Sequence, residues 1–274
     1  MLAAGLLAAC SSDNGEEPKE SEMVTVNVNL GGFAVTQEEM ATRETSPVAD
    51  ICTHLDVWIY DSGGEVSSYQ QDSGHDGFGT LSLTLNNQNE YTIYAVAHKA
   101  NGAATLSDGV VLFPDDKVTH SFFVSRAFKP TNDMSLNLTM NRIVAQFQFN
   151  TTDALPDWCK TIRVTISNVF DRWNVAGYGV HELNRVSTIN IASTHDDGTV
   201  TCNVYAIAND AQTFHDILIE GLDVNGDVKE SHTLTNLPLK NNQRTIATGN
   251  FFTDAASSFF FTAEEWAGEV AYDF

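Results

Sequence analysis

Val24-Thr25-Val26-Asn27-Val28-Asn29-Leu30 alternates apolar and polar side chains without a break. A period of two places Val24, Val26, Val28 and Leu30 on one face and Thr25, Asn27 and Asn29 on the other. That is the pattern of a half-buried strand, with one face in a core and the other in water. A helix would scatter the same valines around its circumference. Valine and threonine also lose side-chain freedom in helices and fit a pleated surface well.

The same period recurs in both directions along the chain. THLDVWIYD sets Leu55, Val57 and Ile59 on one face and ends in DSGGE, a hairpin turn. GTLSLTL aligns Leu81, Leu83 and Leu85, and Asn86-Asn87-Gln88-Asn89 turns the chain into YTIYAVA. VTHSFFV and SLNLTM follow. RIVAQFQF restarts the alternation with Ile143, Ala145, Phe147 and Phe149, and KTIRVTISNV aligns Ile162, Val164 and Ile166. VTCNVYAIA, FHDILIEGLDV, VKESHTLTNLPL, QRTIATGNFF, SFFFT and EVAYDF complete the series. Val224-Asn225-Gly226-Asp227 reads as a hairpin turn, because Asn-Gly takes positive φ readily. No helix-period stretch exceeds about ten residues. Residues 255–258 and 263–267 are expected to form single helical turns. The expectation is an all-β protein of two antiparallel β-sandwich domains in series, 24–140 and 141–274. The junction is expected at 128–133 or just before Asn141-Arg142.

The first 23 residues belong to neither sandwich. Leu7-Ala8-Ala9-Cys10 has the form of a bacterial lipobox, in which the cysteine thiol is acylated and the chain is cut before it. The thiolate is the nucleophile that accepts the lipid, so the chemistry requires Cys10. Residues 1–9 read as the remnant of a signal peptide lacking its basic start, and 2–9 are too few to span a bilayer. A shortened ordinary signal peptide with a chance cysteine is the alternative. Ser11-Ser12-Asp13-Asn14-Gly15-Glu16-Glu17 has nothing to bury, so 10–23 read as a lipidated disordered tether.

The chain of 274 residues carries 36 acidic and 14 basic residues, a formal net charge of −22. Such a balance argues against nucleic acid as a partner, since phosphate binding needs a basic face. With Cys10 set aside for lipid, Cys52, Cys159 and Cys202 remain. Three cysteines make no disulfide framework, although a Cys159–Cys202 bridge stays open for an exported protein. Cys202 alternates with Val200, Val204 and Ala206, as a small core residue would. The eight histidines are scattered and none is paired with another at metal-ligand spacing. No H-x-x-x-H, C-x-x-C or G-x-S-x-G is present. The sequence therefore assigns no catalytic residue, no metal ligand and no cofactor. Trp173 with Tyr178, in DRWNVAGYG, is the best pair for stacking on sugar rings, with core packing the favoured role for the tryptophan.

The order of these pieces resembles a fimbrial subunit of the Bacteroidales, of the fimbrillin or type V pilin superfamily. The resemblance runs over most of the chain. It is carried by the lipobox LAAC, the first strand VTVNVNL with its ATRET loop, LDVWIYDSGGEV, YTIYAVAHKANG, NRIVAQFQF, LPLKNNQRTIATGNFF and the terminal EEWAGEVAYDF. It implies two tandem transthyretin-like sandwiches of about seven strands each. It also implies palmitoylated lipoprotein export to the outer membrane, and a role in cell adhesion within a surface fimbrium or pilus.

In polymerising members a trypsin-like protease cuts after a basic residue in the loop behind the first strand. That strand leaves, and the C-terminal strand of another subunit fills the groove, a case of β-strand addition. Carried over, the cut falls between Arg43 and Glu44. Arg43 is the only Lys or Arg between Lys19 and Lys99, and a solvated loop arginine is the equal alternative. The donor strand falls in the tail, with Phe259 and Phe261 alternating, and then Val270, Tyr272 and Phe274. The tail completing its own sandwich is the other reading. The implied partners are other fimbrial subunits, the outer membrane through the lipid, and a host or bacterial surface ligand. The alternative function is a non-polymerising surface lipoprotein: an anchor, a tip or a glycan-binding module.

Overall fold

The computed structural model describes residues 21–33, 51–192, 194–253 and 259–265. The alternation at 24–30 becomes strand β1 (Met23–Phe33). Eight strands follow it: β2 (His54–Asp61), β3 (Gly64–Asp72), β4 (Thr80–Asn86), β5 (Tyr91–His98), β6 (Thr105–Ser107), β7 (Val110–Leu112), β8 (Ser121–Phe128) and β9 (Met134–Arg142). Then come β10 (Ala145–Thr151), β11 (Thr161–Asn174), β12 (Tyr178–Asn190), β13 (Thr201–Ala206), β14 (Thr213–Leu222), β15 (Val228–Leu239), β16 (Gln243–Gly249) and β17 (Phe260–Glu265). The protein is an all-β sandwich fold, as its periodicity predicts. Ala263 lies within β17 and not in a helical turn, while 255–258 fall outside the described residues.

The first seven-stranded sheet has the order β3-β2-β5-β8-β9-β1-β4. It folds over at the β8–β9 corner, where only Phe122 and Phe123 pair with Arg142 and Asn141. The result is two layers, β3-β2-β5-β8 and β9-β1-β4. Between them lies a core that joins Val26, Val28, Leu30 and Leu83 to Leu55, Val57, Ile59 and Ile93. The later strands repeat this plan. One layer is β16-β10-β13, with β17 added beside β16. In the other, β11 pairs with β12 on one edge and with β14 on the opposite edge, and β15 follows β14. Their core holds Phe147, Phe149, Ile162, Val164, Ile217, Ile219 and Phe251.

The repeat extends to strand direction. β1 runs antiparallel to β4 and parallel to β9. β10 likewise runs antiparallel to β13 and parallel to β16. In each sandwich the first strand is thus inserted beside a late one, β9 or β16, and between two strands distant from each other in sequence.

One excursion breaks the repeat. Between β5 and β8 the chain forms the hairpin β6–β7, and β7 pairs with β11 of the second sandwich. The hairpin makes one continuous sheet out of parts of both. A third core sits at this junction, where Trp58, Val96, Val111, Phe113 and Phe123 meet Val144, Trp173 and Ile207. Asp56 fixes the start of the arm, accepting a hydrogen bond from the backbone of Ala104 at 2.9 Å. His98 Nδ1 accepts from the backbone of Ala100, so its Nε2–H is the donor to Asp56, at 3.0 Å. Arg185 on β12 donates to the carbonyls of Asp116 and Val118 behind the arm. His120 and Tyr205 close the same seam with a 2.5 Å contact between Nε2 and the phenol.

The junction core supplies the first expected outcome. Trp173 is 4% exposed, and its ring packs tilted against Phe123 across the seam, with centroids 6.1 Å apart. Trp173→Ala should cost about 3–5 kcal/mol, read as a lowered urea midpoint. The change should also split unfolding into two separately resolved steps, because the two sandwiches share this cluster.

Candidate functional site: the seat of the first strand

β1 is held on both edges. Val24, Val26 and Val28 stand opposite Leu85, Leu83 and Leu81 on one side. Val26 and Val28 stand opposite Met134 and Leu136 on the other. The strand's ends are tied as well. Leu30 N donates to Gly79 O at 2.7 Å and Thr25 N to Asp133 Oδ1 at 2.7 Å. Glu22 N donates to Asn87 Oδ1 at 3.1 Å.

The inward face is what makes the seat. Val24, Val26, Val28 and Leu30 are 7%, 0%, 2% and 0% exposed. Burying four such side chains contributes roughly 6–12 kcal/mol at about 1.5–3 kcal/mol each. That is comparable to the whole stability of a typical domain, about 5–15 kcal/mol. Removing β1 with nothing to replace it would uncover Leu83, Leu85, Leu138 and Met140 and unpair two strand edges. The seat therefore needs a strand with this alternation, whichever chain supplies it. The outward face is uncharged: Asn27, Asn29, Thr80, Ser82, Ser135 and Asn137 line a shallow groove of about 310 Å³.

β17 is the opposite case. Among the described residues it pairs with β16 alone, antiparallel, from Thr248↔Phe260 to Gln243↔Glu265. Phe260 and Phe261 are 74% and 55% exposed. Phe259, just before it, packs toward the core, 6.0 Å from Phe149 and 5.5 Å from His232. So of the tail residues singled out in the sequence, Phe259 faces inward and Phe261 faces water. Val270, Tyr272 and Phe274 lie outside the described residues, as do Cys10, Arg43 and Glu44.

The remaining candidates separate clearly. Trp173 and Tyr178 do not form a common platform, because Trp173 is buried in the junction core while Tyr178 is 52% exposed. Cys52, Cys159 and Cys202 are all buried free thiols, so Cys159 and Cys202 are not bridged. Burial pushes the Cys202 thiol up to about 12, with the Cys159 sulfur nearby adding to the shift. Burial raises Cys159 too. His54 stacks on His98 at 5.4 Å, a pairing across β2 and β5 that histidine spacing along the chain does not disclose. The Asp223 carboxylate, at the 224–227 hairpin turn, accepts from the backbone of Asn225 and Asp227 and pairs with Lys229 at 3.1 Å.

This arrangement defines a class: two β-sandwiches in tandem, the first of seven strands and the second of eight, each with its first strand set inside a layer. The chain belongs to a family of unknown function (DUF6562), whose family model matches residues 105–273. No curated protein matches the chain. Among solved structures, a candidate adhesin from Bacteroides ovatus superposes with a TM-score of 0.54 at 11% identity, over 88% of this chain and 96% of that one. A candidate cell adhesion protein from Bacteroides ovatus superposes with a TM-score of 0.51 at 14% identity, over 92% and 100%. The fimbrial anchor protein Mfa2 from Porphyromonas gingivalis is similar at a TM-score of 0.48 and 12% identity, over 89% and 98%. At these identities the likeness concerns the fold alone, an all-β sandwich architecture that the chain shares with the two Bacteroides ovatus proteins.

The thiols give the second expected outcome. In the chain with Cys10→Ser, Ellman's reagent at pH 8 should find no reactive thiol in the native protein and three after unfolding in guanidinium. Burial keeps all three away from reagent, and it also raises the thiols of Cys159 and Cys202.

Proposed function

We propose that this chain is a non-enzymatic component of a cell-surface fimbrium that serves adhesion. It is exported as a lipoprotein, anchored in the outer membrane through Cys10, and joined to other subunits by β-strand exchange. The observation that carries the reading is the seating of β1. Its four core side chains and two hydrogen-bonded edges plug the gap between β4 and β9. The segment 34–50 that follows it carries Arg43, a tryptic site with Glu44 behind it. The exposed, singly paired β17 supports the tail as the replacing strand. Donor and seat share one chemistry, alternating apolar residues plus an unpaired backbone edge.

A second reading has an observation of its own. With β1 fully seated, the chain has the form of an anchor or tip subunit that keeps its first strand. It would then bind through the tail or an exposed surface without polymerising. Limited trypsin treatment separates the two. Cutting after Arg43 should release β1 under mild denaturant, and the trimmed chain should form oligomers by size exclusion. Deleting 259–274 should abolish those oligomers. A trimmed chain that stays monomeric with its tail intact excludes the polymerising subunit and leaves the anchor or tip.

A further inference from the structure

Tyr178 lies beside a polar cleft that the strand exchange does not use. The cleft has a volume of about 310 Å³ and sits between the β11–β12 turn and the β13–β14 loop. That is at the lower end of the range of small-molecule sites, about 300–1,000 Å³. We infer that it is a saccharide-binding site, with the phenol ring of Tyr178 as the stacking platform.

Three observations converge. The first is an aromatic ring held out in water by a rigid turn. Asn174 Oδ1 accepts from Ala176 N at 2.8 Å, and Asn174 O accepts from Gly177 N at 2.8 Å. Val175 N donates to Gly109 O of the arm, so the turn is pinned from below. Gly177 has φ +101, and a Cβ on Gly179 would come within 2.7 Å of the Phe170 ring. Gly177 supplies the positive φ that the turn needs, and Gly179 lets the strand beyond Tyr178 pack directly on Phe170.

The second observation is a set of polar groups with spare capacity. Among the described residues, the Tyr178 hydroxyl and the Asn209 side chain make no hydrogen bond within the chain. Asp210 Oδ1 accepts from Asn241 Nδ2 at 3.2 Å, which leaves the second carboxylate oxygen open. His215 Nδ1 donates to Ser167 O, and Thr213 Oγ1 lies 2.7 Å from His215 Nε2 and 3.3 Å from the Leu239 carbonyl, two partners inside the fold for its single proton. With its proton committed, Thr213 Oγ1 can only accept in the cleft.

The third is preorganisation of the floor. Asn241 is 5% exposed and fastens the loop, accepting from Ala208 N at 2.9 Å and donating to Asp210. The loop does not have to order itself on binding, which removes one cost of association.

The chemistry of the ligand follows. An acceptor-rich rim calls for a ligand that donates several hydrogen bonds. An exposed aromatic face calls for a flat apolar surface beside those donors. A pyranose offers both, C–H groups on one face and hydroxyls around its edge. Among the described residues Asp210 is the one carboxylate lining the cleft, and the other polar groups there are neutral, which suits a ligand of hydroxyls better than a cation. The assignment deepens the adhesion part of the proposed function by naming its ligand class, and it is independent of strand exchange.

The test is a titration of the isotope-labelled chain with glucose, galactose, mannose, N-acetylglucosamine and lactose, followed by amide chemical shifts. At least one sugar should move the resonances of 177–179 and 208–213 at millimolar concentration. Tyr178→Ala should weaken that sugar at least about tenfold, a factor worth about 1.4 kcal/mol. Tyr178→Phe should stay within about threefold, because it keeps the ring. Asp210→Asn should weaken binding without changing the melting temperature. If no sugar in the panel shifts these amides, or if Tyr178→Ala binds as tightly as the parent, the inference is overturned. Neither result touches oligomerisation after trypsin, which alone decides strand exchange.

Discussion

The parallel pairing of β1 with β9 is the constraint on which the molecule depends. A parallel neighbour cannot be reached by a short turn, so the first strand has to be inserted after, or together with, the last strand of its sandwich. The hydrophobic core closes only when Val26, Val28 and Leu30 drop between the two layers. The same device recurs in β10 beside β16, where Phe147 and Phe149 fill the corresponding place. The second sandwich is not free to exchange its first strand in the same way, because β10 follows directly from β9 through Ile143 and Val144, both in the junction core. An identical topology thus holds two first strands that differ in connectivity, β10 being tied directly to β9 while β1 has no strand before it among the described residues.

The arm β6–β7 does the other structural work. Its three-residue strands are too short to be stable by themselves. They persist because β7 extends the sheet of β11, Val111 and Phe113 enter the junction core, and Asp56 and His98 fix the approach. The arm also carries Gly109, whose carbonyl holds the turn before Tyr178. The cleft on the second sandwich is consequently shaped in part by residues inserted from the first.

How much of this was readable from the chain varies with physical cause. The faces of β1, β2, β4, β10 and β11 were legible, since a two-residue period reports which side chains are buried. Which strand lies beside which was not, because periodicity is silent about neighbours, and the parallel pairs β1–β9 and β10–β16 were invisible. β12 was missed outright. It is an edge strand with Tyr178, His181, Glu182, Asn184 and Val186 exposed, so its sequence shows no clean apolar face. The arm was missed because three residues carry no period. Trp173 and Tyr178 looked like a pair from their spacing, yet β11 sends the first into the seam and the turn sends the second into water. The His54–His98 stack arises only from antiparallel register. Nothing local encodes it.

The contrast between β1 and β17 has a mechanical consequence. A strand bonded along both edges and pulled along its axis is loaded in shear, so many hydrogen bonds and four buried side chains must yield together. A strand bonded along one edge and pulled outward from its end peels, breaking one bond at a time. β1 is built for the first kind of load and β17, in its present place, only for the second. If the tail of one copy came to lie where β1 now lies, the same few residues would pass from a weak fastening to a strong one without any change in composition. The toughness of such a joint is a property of the seat, not of the strand that fills it.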